Sequence, residues 1–142
     1  MGEHVARAET EIEAPASRVW EALTDPEQIE QFMFGSRVTT DWKPGSSIVW
    51  KGEYEGKPYE DKGEILEFEP ERRLRMTHFS PMSGDEDVPE NYHTLTYELE
   101  ARNGSTRVSL TQDGNDTPEA AEHSQANWEK MLSSLKATVE AD

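Results

Sequence analysis

The sequence predicts an α+β architecture: a curved antiparallel sheet of about six to seven strands around a long C-terminal helix, with two short helices after the first strand. Three observations predict it. Residues 36–112 alternate apolar and polar side chains with period two, broken at intervals by turn residues. Residues 16–33 carry two short windows of helical spacing. Thr117-Pro118 then opens an amphipathic stretch that runs to the end of the chain. The 142 residues fit one domain spanning 1–142.

Each element has its own signal. In His4 to Glu13, Ala6, Ala8, Thr10 and Ile12 share one face, while Arg7, Glu9, Glu11 and Glu13 share the other, so this is a strand with one wet side. Ala14-Pro15 stops it. Ala16, Val19, Trp20 and Leu23 mark a first helix that ends near Thr24-Asp25. Asp25 caps a second, with Pro26 at its first position and Ile29, Phe32 and Met33 as its buried stripe, up to Phe34-Gly35. Strands follow at Arg37 to Asp41, Ser46 to Gly52 and Tyr59 to Glu69, separated by Lys43-Pro44-Gly45 and Glu55-Gly56-Lys57-Pro58. After Pro70-Glu71, Leu74, Met76 and His78 alternate with Arg73, Arg75 and Thr77. Ser80 to Glu90, with its prolines and acids, reads as an exposed, mobile loop. Leu95, Tyr97 and Leu99 mark the next strand, Asn103-Gly104 a hairpin turn, and Val108, Leu110 and Gln112 the inward face of the last strand. Thr117 caps the final helix, whose stripe is Trp128, Met131, Leu132, Leu135 and Val139. About 22 helical residues span about 33 Å, enough to cross a sheet.

Composition limits the function. Thirty Asp plus Glu against 14 Lys plus Arg give a net charge of −16, which repels phosphate backbones and anionic membranes, so no nucleic-acid or membrane partner is expected. The acids are scattered, as on a solvated surface, and fit either an ordinary acidic protein or adaptation to high salt. Without cysteine, disulfides, thiolate metal sites and a Cys nucleophile are excluded. The first residues lack the apolar core of a signal peptide, and no apolar run has membrane-spanning length, so a cytoplasmic location is expected.

Several segments resemble the START-like, or SRPBCC, superfamily. Glu11-Ile12-Glu13-Ala14-Pro15 followed by Val19-Trp20-Glu21-Ala22-Leu23-Thr24-Asp25-Pro26-Glu27 resembles its opening. Gly63-Glu64-Ile65-Leu66-Glu67-Phe68-Glu69-Pro70, with Arg73-Leu74, resembles its central strand and turn. Gly104 to Gln112, closed by Asn127-Trp128-Glu129 and Leu132 to Leu135, resembles its end. The branch it is most similar to is that of proteins like the activator of the heat-shock-protein-90 ATPase. The resemblance implies the helix-grip fold with an internal cavity. Its members include lipid and polyketide binders, cyclases, resistance proteins and co-chaperones, so fold alone does not settle function. This chain departs from the pattern at Asn127, where Gly is frequent, at His78, where Trp is frequent, and at Gln112, where His is common. With fewer tryptophans around the cavity than that pattern has, the comparison implies a more polar pocket.

A sheet gripping one helix leaves space between them. The residues expected to face it are Trp50, Met76, His78, Leu95, Tyr97, Val108, Leu110 and Gln112 from the sheet, and Trp128, Met131 and Leu135 from the helix. For the aliphatic members a solid core is the competing reading. The polar trio His78, Tyr97 and Gln112 would orient a ligand, since buried polar groups need partners. His78 and His93, on neighbouring strands, share a face and are placed to meet. Among the four histidines no pair has metal spacing, and neither metal nor cofactor is expected. With so many acids, sequence-near pairs such as Asp61 and Glu64 carry no information. Arg72, Arg73 and Arg75 read as a solvated strand edge rather than an anion site. The leading expectation is a non-enzymatic, monomeric binder of an apolar or aromatic small molecule, lipid- or polyketide-like. A co-chaperone-like module with a chaperone partner is second, and a cyclase- or hydrolase-type enzyme using His78 is third.

Overall fold

The computed structural model describes residues 4–54, 56–81, 86–115 and 117–141. The chain runs β1 (His4–Ile12), α1 (Ala16–Thr24), α2 (Pro26–Phe32), β2 (Arg37–Thr40), β3 (Ser47–Tyr54), β4 (Lys57–Glu69), β5 (Arg73–His78), a 3-10 turn (Pro89–Asn91), β6 (His93–Arg102), β7 (Ser105–Asn115) and α3 (Pro118–Glu140). All seven strands join one antiparallel sheet in the order β1-β7-β6-β5-β4-β3-β2. From β2 to β7 each strand pairs with its sequence neighbour, as short turns dictate, and β1 closes on β7. The expected helix-grip architecture is the observed one.

The caps follow the sequence chemistry. The Asp25 carboxylate accepts from the Glu27 amide at 3.1 Å, and Pro26 takes the first helical position, where no N–H is needed. Thr117 Oγ1 accepts from the Ala120 amide at 3.0 Å, again ahead of a proline. Helix α2 ends where Phe34 and Gly35 adopt positive φ. Strands β3, β4 and β7 run longer than the alternation alone suggests, because ladder bonds continue past the apolar residues, into the turn between β3 and β4 and, for β7, along β1 to Asn115. Of the Ser80 to Glu90 loop, residues 82–85 lie outside those described, as do Glu55 of the second turn and Asp116 before the last helix.

The core lies on the inner face of the sheet. Ile12, Ile48, Ile65, Leu74, Val108 and Leu110 are all buried there. Helix α3 sets Leu132, Leu135 and Val139 into this layer, each burial contributing roughly 1.5–3 kcal/mol. The helix does not lie along the middle of the sheet. It packs mainly against β1, with further contacts to β7, α1 and α2. Its C-terminal end is tied to the β1–α1 junction. There the Glu140 carboxylate accepts from the Glu13 amide at 2.8 Å and Lys136 Nζ donates to the Glu11 carbonyl at 2.7 Å.

The outer face is a field of cross-strand charge pairs, including Arg75–Glu67 at 2.9 Å, Arg73–Glu98 at 3.0 Å and Arg107–Glu9 at 3.0 Å. The Arg75 guanidinium, more than Arg73, holds the Glu67 carboxyl below its ordinary range. Two members of the arginine cluster after Pro70 are thus engaged with strand-face acids, in exposed pairs of small energetic weight.

Candidate functional site

Because α3 leans toward β1, the inner faces of β3 to β6 are not covered by it along their whole width. Helix α2 and the chain that follows it close the remainder, and a cavity of about 220 Å³ is left between them. Its floor is Ile48 and Trp50 of β3, Asp61 of β4, Leu74, Met76 and His78 of β5, and Leu95 and Tyr97 of β6. Val38 of β2, directly across the ladder from Trp50, extends the floor; the roof is Leu23, Ile29, Phe32, Met33, Ser36 and Trp42, and Trp128 of α3 forms one wall.

Six of the residues expected from the sequence therefore meet here: Trp50, Met76, His78, Leu95, Tyr97 and Trp128. Five are elsewhere. Val108 and Leu110 are fully buried in β7, beneath the part of the sheet that α3 covers, and Met131 and Leu135 are the helix residues that cover the core. Gln112 is also buried on β7, where its Oε1 accepts a hydrogen bond from the Trp128 indole N–H. It positions a wall residue without bordering the cavity. Asn115 Nδ2 donates to the Gln112 carbonyl at 3.0 Å, and Ser124 Oγ donates to Asn115 Oδ1 at 3.1 Å, so β7 and α3 share one polar chain. The lean of α3 is the reason for the division, since it moves the C-terminal half of the helix away from the cavity.

The polar chemistry of the cavity centres on three adjacent strands. Trp50 lies directly across the ladder from Asp61. Asp61 Oδ2 and His78 Nε2 are 2.9 Å apart, both largely buried. The Trp50 ring meets the His78 ring edge to face, centroids 5.1 Å apart. Two further buried atoms, Asp61 Oδ1 and His78 Nδ1, have no hydrogen-bond partner among the described residues. Tyr97 is buried on the same floor, and desolvation alone pushes its phenol well above the ordinary range. Ser36, at the roof, accepts from the Tyr59 hydroxyl at 3.0 Å.

Gly63 brings Asp61 to His78. The β4–β5 ladder is irregular between Ile65 and Glu67, and past Glu64 it is held by Lys62 and Phe79, which exchange bonds of 3.0 and 2.7 Å. A Cβ on Gly63 would lie 1.8 Å from the Thr77 carbonyl oxygen, so the two backbones approach here as no side chain would allow. Two residues along on the same face, Asp61 is then diagonal to His78 and within reach.

His78 and His93 are direct cross-strand partners, as their shared face suggested, yet their rings have separate partners. His93 Nδ1 is 2.7 Å from the Asp113 carbonyl oxygen, while His78 turns to Asp61. Asp61 is the site residue that sequence reasoning missed. The available signal was its phase: Asp61, Gly63 and Ile65 share one face of β4, so an acid there points inward, unlike Glu64. Helix α2, Ser36, Val38 and Trp42 were missed as lining because the cavity was placed against the long helix alone.

A search of curated proteins finds no match to this chain. Among solved structures, ChR145 from Cytophaga hutchinsonii, determined in solution, is 49% identical, with 99% of this chain and 97% of that chain covered and a TM-score of 0.86. CalU16 from Micromonospora echinospora is 20% identical over 96% of this chain and 83% of that one, with a TM-score of 0.73. The Aha1 dimer from Colwellia psychrerythraea is 19% identical over 96% of each chain, with a TM-score of 0.75. The last two establish likeness of fold. A family model described as "Activator of Hsp90 ATPase homolog 1-like protein" matches residues 13–140, and this chain belongs to that family.

Proposed function

We propose that this protein binds a small apolar or aromatic molecule in the cavity between α2 and the sheet, walled by Trp50, Met76, His78, Leu95, Tyr97 and Trp128. The observation that carries the reading is the cavity itself, about 220 Å³ with mainly apolar walls and a small set of convergent polar groups. A cavity of roughly 150 Å³ lined by aliphatic and aromatic side chains is known to take benzene. This one suits a ligand of one or two rings better than a long acyl chain. Three indoles and Phe32 supply flat apolar surface, and Asp61, His78 and Tyr97 supply orientation. The proposed action is binding; the same groups are what a cyclase- or hydrolase-type reaction would require.

The test is a titration of the labelled protein, followed by proton–nitrogen NMR, with a panel of aromatic and aliphatic compounds. Saturable shifts of the Trp50 and Trp128 indole N–H signals, and of residues around His78, are expected from the aromatic compounds. A folded protein whose spectrum no compound moves would refute the proposal. It would favour instead a surface-acting role with a heat-shock ATPase partner, for which the family membership and the 69% exposed Phe34 at the end of α2 are the supporting observations.

A further inference from the structure

We infer that the Asp61–His78 pair selects ligands that carry a neutral hydrogen-bond donor on an aromatic ring, a phenolic hydroxyl in the first instance. This rests on the reading that the cavity takes a ligand, and it names the class.

The argument begins with the proton. A carboxylate can only accept, so at 2.9 Å from Asp61 Oδ2 the hydrogen sits on His78 Nε2. In the neutral imidazole that leaves Nδ1 as a bare lone pair. Nδ1 and Asp61 Oδ1 are both buried and both without a partner among the described residues. With the imidazole neutral, the pair therefore presents two unmet acceptors and no unmet donor. Both residues border the cavity. A guest offering only acceptors, such as a ketone or ester, leaves both unsatisfied. A guest offering an O–H satisfies one of them, and buried acceptors left unmade are what such sites discriminate against most strongly.

The rest of the cavity narrows the donor. Trp42, Trp50, Phe32 and Trp128 present ring faces and edges to the guest, which favours an aromatic carrier. An ammonium would also donate, but it must lose its hydration in a mainly apolar cavity whose one carboxylate is already shared with His78 Nε2. A phenol loses much less. The Asp61 bond to Nε2–H also holds the ring in the tautomer and orientation that keep Nδ1 an acceptor, as carboxylates do for imidazoles elsewhere. Asp61 is thus a positioning residue as well as an acceptor.

The experiment measures the dissociation constants of p-cresol, p-xylene and p-methylbenzylammonium with the intact protein by NMR titration, and follows the imidazole nitrogen resonances of His78. The expected result is p-cresol binding at least about tenfold more tightly than p-xylene, with a shift of the His78 Nδ1 resonance that p-xylene does not produce. In the double variant Asp61→Leu/His78→Phe, which removes both acceptors and keeps a ring against Trp50, that preference is expected to vanish while p-xylene still binds. Equal affinity of the wild-type protein for p-cresol and p-xylene overturns the inference and leaves the cavity reading standing. Failure of every compound to bind the folded protein overturns both. Tighter binding of p-methylbenzylammonium than of p-cresol overturns the assignment of a neutral donor. The wild-type comparison decides the matter even if the variant does not fold.

Discussion

Gly63→Ala is expected to damage both the fold and the site, for a reason invisible in side-chain contacts. The new Cβ would be 1.8 Å from the Thr77 carbonyl oxygen, and a stable contact needs at least 3.0 Å. The obstacle is backbone, so no rotamer change relieves it. Strands β4 and β5 must separate by more than an ångström where Lys62 and Phe79 exchange hydrogen bonds of 3.0 and 2.7 Å. Overpacking of this kind costs about 1–3 kcal/mol, and here the upper end applies because main chain must move. Weakening the two ladder bonds adds about 1 kcal/mol. A loss of about 4 kcal/mol is a large share of the stability of a small protein and corresponds to a fall in Tm of about 12 °C. Urea unfolding monitored by tryptophan fluorescence measures it. Gly45→Ala is the control: nothing lies within 4 Å of its added Cβ, but φ is +90°, so only backbone strain of about 1–2 kcal/mol is expected. If Gly63→Ala costs less than about 1 kcal/mol, or no more than Gly45→Ala, the close approach of β4 and β5 is not what the structure indicates. In the folded fraction of the variant, the His78 imidazole resonances should also move, because Asp61 is displaced with its strand.

Two other outcomes test the burial and the charge. Tyr97 has its phenol raised by desolvation, so the protonated form is favoured by folding. Its contribution is intact below about pH 10 and is lost as pH climbs above that value, because the unfolded phenol ionises while the folded one does not. Phenolate absorbance should show one tyrosine silent until the protein unfolds in alkali, and normal titration of all four with the fold intact would refute this. With a net charge of −16, Tm should rise by several degrees as KCl is raised from about 0.1 to about 2 M, since the screening length shrinks from about 10 Å to below about 3 Å. A flat Tm would mean that cross-strand pairs such as Arg107–Glu9 already offset the repulsion, and would remove the high-salt reading of the composition.

The alternation of Leu74, Met76 and His78, and of Leu95, Tyr97 and Leu99, was enough to place five cavity residues on inward faces, because a strand's side chains have a strict period of two. Proline and its capping neighbours at Asp25-Pro26 and Thr117-Pro118 marked both helix starts, since those signals act within one turn. Fold class, element order and inner face are local or periodic properties, and the chain carries them in linear form. The lean of α3 toward β1 is not such a property. It depends on how Leu132, Leu135 and Val139 fit against β1 and β7, and on ties such as Glu140 to the Glu13 amide, 127 residues apart. That lean removed Val108, Leu110, Gln112, Met131 and Leu135 from the cavity wall and gave α2 the roof. The meeting of Asp61 with His78 likewise depends on a ladder irregularity and a glycine pressed against a carbonyl, both set by the pairing of two strands. One acid among thirty becomes distinctive only when the tertiary structure buries it beside an imidazole, because burial, not identity, decides whether a carboxylate must find a partner.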